Sequence, residues 1–137
     1  MRNFLIDSVV LLDFFINRPF FSNDAATIIN LAEKNQLQLF ITPVILANVY
    51  YIFRKKYSDA DVKSAIAKIL PHIEILPISK DVVTEVFNSD YKDFEDCLQY
   101  TAAEHSRRID AIITRNKDDY KSSELPVLSP NELISLI

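Results

Sequence analysis

Short apolar runs alternate along this chain with longer segments whose apolar residues recur at helical spacing. Two of these runs, residues 4–6 and 111–113, have the length and composition of buried strands. Regular alternation of such strands with helices is typical of a parallel sheet that helices cover. The pattern therefore predicts an α/β fold in which helices wrap a parallel sheet.

Acidic residues follow the ends of these apolar runs. Asp7 comes directly after the first run, and Asp119 lies with Asn116 in the loop after the second. Because ligands bind outside the carboxyl ends of parallel strands, we expect these residues at that edge. Asp96 lies near the start of a predicted helix. Carboxylates gathered together repel one another unless a cation holds them, and a divalent metal is the usual cation.

The composition limits the functions that are possible. The 137 residues contain no glycine, which P-loops and dinucleotide fingerprints need because the backbone must approach the phosphates closely. The formal charge of −4 argues against binding nucleic acid by bulk attraction, although it leaves room for a basic rim around an acidic site. Any phosphate chemistry must therefore use side chains and a metal.

Size, cysteine content and the start of the chain give three further expectations. With 49% hydrophobic residues, residues 1–137 are expected to form a single domain with its own core. The single Cys97 is expected to be a small core residue, which fits a reducing, cytoplasmic location. The apolar stretch 1–16 is interrupted by Asp7 and Asp13, so neither a signal peptide nor a membrane span is predicted.

Capping signals divide the chain into elements. Thr42 before Pro43 is typical of a helix start, and Ser129 with Glu132 predicts a capping box before the last helix. Ser22 or Asn23 is the predicted cap of the second helix. Strands are predicted at 3–6, 38–41, 74–77, 110–114 and 126–128, and helices at 9–16, 22–34, 43–56, 59–70, 80–88, 93–107 and from 130 onward.

The acidic residues also have purely structural interpretations. Asp93 is an ordinary N-cap residue, and Asp96, three positions later on the same face, could act only on the helix dipole. Asp7 could likewise be only a helix cap. For the other polar residues of these helices we expect solvation or local pairing of Asp13, and solvent exposure of Glu95 and Gln99.

Asn48 lies in a helix that is apolar on nearly all sides, so the helix is predicted to be buried. A polar side chain in such a helix must find a hydrogen-bond partner. Asn48 is therefore either a satisfied core amide or a residue that faces the same cavity as the aspartates.

Taken in order, these segments resemble the PIN-domain proteins, and in particular VapC-like toxins of bacterial toxin–antitoxin modules. The resemblance spans essentially the whole chain and is closest to a subgroup with "DFED" and "TRN" motifs. It rests on residues 4–8, on 42–51, on Asp93-Phe94-Glu95-Asp96, on Thr114-Arg115-Asn116 through Tyr120, and on residues 126–130.

The resemblance implies a three-layer α/β/α fold with a mostly parallel central sheet and a nuclease that cleaves RNA with Mg²⁺ or Mn²⁺. Asp7, Asp96 and Asp119 resemble the catalytic, metal-binding acids of the family. An antitoxin partner, a homodimer and a cytoplasmic location without membrane contact are also implied. The implied supporting residues are Ser8 and Asn116, and Asn48 and Asp93 are further supporting candidates. Arg115 and Lys117 lie beside the acids and are the candidate RNA contacts.

The sequence departs from the family pattern at two positions. Asn48 aligns with the usual second acid, a glutamate, and Val9 stands where asparagine is common. An amide at position 48 removes one charge and one anionic ligand oxygen, which weakens metal binding or eliminates one metal site. One alternative is therefore a weakly active or inactive PIN-like module that binds RNA or protein. Another is a receiver-like or phosphatase-like α/β domain with Asp7 as phosphate acceptor.

Overall fold

The computed structural model describes residues 2–137. The strands are β1 (Asn3–Ile6), β2 (Gln38–Ile41), β3 (Ile73–Ile75), β4 (Ala111–Ile113) and β5 (Val127–Leu128). The helices are α1 (Ser8–Phe15), α2 (Ser22–Glu33), α3 (Pro43–Arg54), α4 (Asp59–Ile69), α5 (Lys80–Phe87), α6 (Phe94–Ser106) and α7 (Pro130–Leu136). Two short 3-10 turns, Leu70–His72 and Lys117–Tyr120, complete the chain.

The five strands form one sheet in the order β3-β2-β1-β4-β5, and every neighbouring pair is parallel. Helices flank the sheet in a three-layer α/β/α arrangement, so the predicted fold class is confirmed. Leu5 and Ile6 are consecutive in β1, and both are fully buried. Because consecutive strand residues point to opposite faces, the sheet is covered on both sides.

The register of the central strands positions the candidate acids. Ile6 of β1 pairs with Ile113 of β4, so the residues that follow them, Asp7 and Thr114, leave the sheet side by side. The Asp7 backbone N–H donates to the Ile113 carbonyl at 2.9 Å. The carboxyl ends of two adjacent strands thus bring Asp7 and the loop after β4 together, as expected for a parallel sheet.

The helix caps follow the predictions with one exception. Thr42 accepts from the Ile45 N–H at 3.1 Å, and the Ser129–Glu132 capping box is formed. The prediction that Ser22 or Asn23 caps α2 is wrong, because Ser22 is already helical and its N–H donates to the Arg18 carbonyl at 3.0 Å. The N-terminus of α2 is therefore held by a backbone hydrogen bond to the preceding turn, and not by a side-chain cap.

Strand β3 is shifted from its predicted position at 74–77. Ile73 pairs with Leu39, and the last ladder bond runs from the Leu76 N–H to the Ile41 carbonyl at 2.7 Å. The ladder stops there because the partner segment leaves the sheet after Ile41, with Thr42 as the N-cap and Pro43 as the first residue of α3.

The prediction that α3 is buried on all sides is wrong. Its inner face packs into the core through Ile45, Val49 and Phe53, whereas Tyr51 is 67% exposed and Ile52 is 37% exposed. The outer face borders an apolar groove of about 470 Å³ between α3 and α4. Apolar residues on both sides of a helix do not indicate which side the neighbouring elements will cover.

The core contains Cys97, which is buried in α6 as predicted. Across residues 2–137, none of the helices is both long enough and apolar enough to cross a membrane.

Candidate functional site

Asp7 lies at the carboxyl end of β1 with 9% of its surface exposed. Its Oδ1 accepts hydrogen bonds from the Ser8 backbone N–H and the Tyr120 hydroxyl, both at 2.9 Å. Its Oδ2 accepts from the Thr114 hydroxyl at 2.8 Å. The Ser8 bond makes Asp7 the N-cap of α1, so the cap interpretation is confirmed. The hydrogen bonds from Thr114 and Tyr120 are not needed for a helix cap. They fix the orientation of a nearly buried carboxylate.

An acidic cleft of about 250 Å³ opens beside the start of α6. Asp96 is the third residue of that helix, and Asp119 lies in the 3-10 turn after β4, so two distant segments supply the carboxylates. The cleft is lined by Lys92, Asp93, Asp96, Tyr100, Asp118, Asp119, Lys121 and Ser122.

The acids of this region repel one another. Burial raises the pKa of Asp96 to about 7, and the charges of Asp93, Asp119, Asp7 and Glu95 add to the effect in that order. Burial also raises the pKa of Asp7, although the hydrogen bonds that Asp7 accepts lower it in part. The charge of Asp119 adds a smaller rise to this pKa. Asp7, Asp96 and Asp119 therefore lie within electrostatic range of one another at one edge of the sheet.

We expect the metal-free protein to lose stability as the pH rises from about 4 to about 7. The pKa of Asp96 is about 7 in the folded protein against an ordinary value of 3.8, so in this range the folded state binds more protons than the unfolded chain. The Asp96→Asn substitution removes this pH-dependent loss of stability. The variant should melt at a higher temperature than the unaltered protein at pH 8 in EDTA, with a flatter dependence of melting temperature on pH.

Asp61→Asn is the matched control. Asp61 is also the third residue of its helix, α4, and its N–H bonds to the Ser58 hydroxyl at 3.2 Å, as the Asp96 N–H bonds to Asp93 Oδ1 at 2.9 Å. Asp61 is exposed, so its loss should only weaken the favourable interaction with the helix dipole. Equal melting temperatures of the two variants at pH 8 would contradict repulsion at Asp96.

The predicted supporting residues Ser8, Asp93 and Asn116 act through the backbone or as caps. Asp93 is the N-cap of α6, and Ser8 supplies its N–H to Asp7. The side chain of Asn116 is exposed, while its N–H donates to the Thr114 hydroxyl at 3.0 Å. A chain of hydrogen bonds thus runs from the Asn116 backbone through Thr114 to the Asp7 carboxylate.

Asn48 bridges α3 and α6. It is half-buried, and its Nδ2 donates to Glu95 Oε2 at 2.8 Å, so it is not an amide sealed in a dry core. The prediction that Gln99 faces solvent is wrong, because it is 3% exposed and accepts from the Thr42 hydroxyl at 2.5 Å. Thr42, the N-cap of α3, reaches Gln99 across 57 positions of the sequence, and the helical pattern of α6 alone does not indicate this contact.

The two residues predicted to contact RNA both form ion pairs within the chain. Arg115 donates from Nε and Nη2 to Asp13 at 2.8 and 3.1 Å, and its guanidinium lies 4.0 Å from the centre of the Phe21 ring. Lys117 Nζ donates to Glu132 at 2.8 Å. The sequence predicted that Asp13 is either solvated or paired. Asp13 is 1% exposed, so it is paired.

Several residues of the site were not predicted individually from the sequence, among them Thr114, Tyr120, Lys92 and Lys121. Thr114 and Tyr120 bind Asp7, and Lys92 and Lys121 line the acidic cleft. A signal was available for the lysines, because each lies within two residues of an acid that lines the cleft. No local signal shows that the Tyr120 hydroxyl points inward.

The donor set of the cleft fits a hard divalent cation. Its acidic groups are carboxylates, which suit Mg²⁺ and Mn²⁺, and no imidazole or thiol lines it. Within residues 2–137, no three acidic, histidine or cysteine side chains are already grouped closely enough to surround an ion. Binding a metal would therefore require side chains such as Asp96 and Asp119 to turn inward. The positive charge of the bound cation would offset the repulsion between their carboxylates.

A sequence model of the PIN domain matches residues 3–118. The chain belongs to the PIN-domain family. The match includes Asp7 and Asp96, and Asp119 lies one residue beyond it. Membership of this family gives no support to the alternative in which Asp7 is the phosphate acceptor of a receiver-like domain. A comparison with curated proteins finds no significant match.

Solved structures share the PIN fold over most of this chain. DNA-bound VapBC from Salmonella typhimurium has a TM-score of 0.69 at 14% identity, covering 95% of this chain and 99% of that chain. A toxin–antitoxin complex from Klebsiella pneumoniae has a TM-score of 0.66 at 24% identity, covering 92% and 96%. VapC20 from Mycobacterium tuberculosis, a sarcin-ricin loop cleaving toxin, has a TM-score of 0.60 at 10% identity, covering 80% and 86%. At these identities the similarity establishes the fold.

Proposed function

We propose that this PIN domain, a single domain over residues 1–137, is a metal-dependent endoribonuclease and the toxin of a toxin–antitoxin pair. The observation that carries the proposal is an acidic cleft lined by Asp96 and Asp119, which are close enough to Asp7 at the carboxyl end of β1 for the three carboxylates to repel one another. Repelling carboxylates cost stability, and a divalent cation would offset that cost. The subgroup with DFED and TRN motifs is part of this proposal.

Asp7, Asp96 and Asp119 are the proposed metal ligands. When bound there, Mg²⁺ or Mn²⁺ would activate water and neutralise charge that develops on the phosphodiester. Thr114, Tyr120 and the Ser8 N–H hold Asp7 in place, which reduces reorganisation during the reaction.

Basic residues around the cleft would attract the RNA backbone despite the net negative charge. Lys92 and Lys121 line the cleft itself. Arg115 and Lys117 are further proposed RNA contacts, although each must share its charge with Asp13 or Glu132. A local basic rim of this kind is sufficient for phosphate contacts without a basic protein overall.

The proposed partner is an antitoxin protein. VapBC from Salmonella typhimurium and the complex from Klebsiella pneumoniae are toxin–antitoxin assemblies with this fold. An antitoxin should place a basic side chain in the acidic cleft, because that charge complements the carboxylates. Homodimer formation and a cytoplasmic location complete the proposal.

The test is cleavage of a short single-stranded RNA with Mn²⁺, with Mg²⁺ and with EDTA. We expect internal cleavage only with metal, and a metal-dependent rise in melting temperature, because only the folded state offers the site. In the Asp96→Asn variant both effects should disappear. RNA that stays intact, together with an unchanged melting temperature at millimolar metal, would contradict the nuclease.

The second candidate is a PIN module that binds RNA or protein with little or no cleavage. Asn48 favours it, because an amide stands where the family usually has its second acid. Retained RNA binding in EDTA, with no cleavage in Mn²⁺, would support this alternative.

A further inference from the structure

We propose that Phe20 stacks on a base of single-stranded RNA and forms a base-binding subsite near the acidic cleft. This inference rests on the proposed function, because it names how the same protein holds its substrate. The subsite takes one base of the strand whose phosphodiester enters the cleft.

The first observation is the conformation of Phe20. This residue lies in the turn between α1 and α2, with 96% of its surface exposed and a backbone φ of 71°. The left-handed region is unfavourable for a residue with a bulky side chain. Because the ring lies almost entirely in solvent, its burial does not compensate for this backbone conformation. Folding therefore does not account for the aromatic ring, whereas binding does.

The second observation is the surroundings of the ring. Phe20 and Phe21 line a cavity of about 180 Å³ together with Arg115 and Asp24. The Arg115 guanidinium lies 4.0 Å from the centre of the Phe21 ring. Aromatic rings and guanidinium planes are the groups on which unstacked RNA bases stack. The Asp24 carboxylate can accept from a base amino group but repels phosphate, so the cavity fits a base and not the RNA backbone.

The third observation is continuity with the cleft. Arg115 lines this cavity and also an open depression of about 490 Å³ along residues 115–119. Asp118 and Asp119 line both the depression and the acidic cleft. Asp119 is four positions after Arg115, and four residues of chain span no more than about 14 Å. A strand of a few nucleotides can therefore reach from the Phe20 ring to the proposed metal ligands.

The test is binding of a short oligouridylate RNA that contains one 2-aminopurine, measured in EDTA so that no cleavage occurs. The fluorescence of 2-aminopurine falls when this base stacks, and a set of RNAs carries it at each position in turn. We expect quenching by the unaltered protein at one position. Phe20→Ala should remove this quenching and weaken binding about 5- to 150-fold, the range for loss of one base–aromatic stack.

Two further variants separate stacking from apolar contact. Phe20→Trp should retain quenching and affinity, whereas Phe20→Leu should behave like Phe20→Ala because it has no aromatic face. The dependence of affinity on salt should be the same in Phe20→Ala as in the unaltered protein, because no phosphate contact is lost. Cleavage in Mn²⁺ should show a higher KM with an unchanged kcat, as expected for loss of uniform substrate binding.

Tyr51→Ala is the matched control. Tyr51 is also a largely exposed aromatic residue, at 67%, but it lines the apolar groove between α3 and α4. This variant should bind and quench the RNA like the unaltered protein. Melting temperatures should verify that all variants are folded.

Unchanged quenching and affinity in Phe20→Ala would overturn the inference, as would an equal loss in Tyr51→Ala. A change of oligomeric state in Phe20→Ala with RNA affinity unchanged would instead assign the ring to contact with a second copy of the chain. If RNA is cleaved in Mn²⁺ while Phe20→Ala is unaffected, only the subsite is wrong. RNA that is bound through Phe20 but not cleaved would support the subsite and contradict the nuclease, and absence of RNA binding would overturn both.

Discussion

Replacing Asp7 with asparagine is expected to lower the rate of RNA cleavage about 10²- to 10³-fold, comparable with the loss of one preorganised electrostatic group in other enzymes. The amide keeps the size of the side chain but removes one anionic oxygen from the proposed set of metal ligands. The fold should be retained, because burial already disfavours the charged form and raises the pKa of Asp7. Initial cleavage rates in Mn²⁺ and melting curves in EDTA measure the two effects.

Asp118→Asn is the control for this experiment. Asp118 lines the acidic cleft next to the proposed ligand Asp119, and unlike Asp7 it is exposed. Asp118→Asn removes one formal charge, as Asp7→Asn does, yet it should reduce the rate only slightly. If Asp7→Asn reduces cleavage no more than Asp118→Asn, bulk charge rather than a fixed Asp7 carboxylate governs the reaction.

Asp13→Asn is expected to lower the free energy of unfolding by about 2 kcal/mol, within the range for loss of hydrogen bonds between charged groups, because Asp13 is buried while Arg115 and Arg18 are partly exposed. Asp13 is 1% exposed and accepts two hydrogen bonds from Arg115 and one from Arg18. An asparagine of the same shape turns an N–H₂ group toward these donors and leaves the guanidinium of Arg115 without its counter-ion. Urea denaturation at neutral pH gives the change in unfolding free energy.

Glu74→Gln is the matched comparison for Asp13→Asn. Glu74 binds Arg108 at 2.7 Å, but both side chains are about half exposed, so the substitution should cost about 0–1 kcal/mol. Because Arg115 begins the loop that leads to Asp119, Asp13→Asn should also reduce cleavage at temperatures where the protein is folded. Similar losses of stability in the two variants would show that burial of Asp13 has no energetic consequence.

The order and type of the elements could be predicted from the sequence because the signals are local. The apolar run of β1 and the capping box at Ser129 depend on residues a few positions apart, and both structures form as predicted. The placement of Asp7 beside the loop after β4 was also predictable, because parallel strands end at a common edge. The sequence by itself therefore determined the fold class and the edge at which the acids lie.

The tertiary structure decided which side chains meet at that edge. Tyr120 reaches Asp7 across 113 positions, and Arg115 reaches Asp13 across 102. The exposed outer face of α3 and the buried Gln99 were predicted wrongly, because the covering element is distant in sequence. Helical periodicity shows that a face is apolar or polar, whereas the packing register between helices determines what that face contacts. The Asn48–Glu95 pair depends on this register, so only the assembled fold could reveal it.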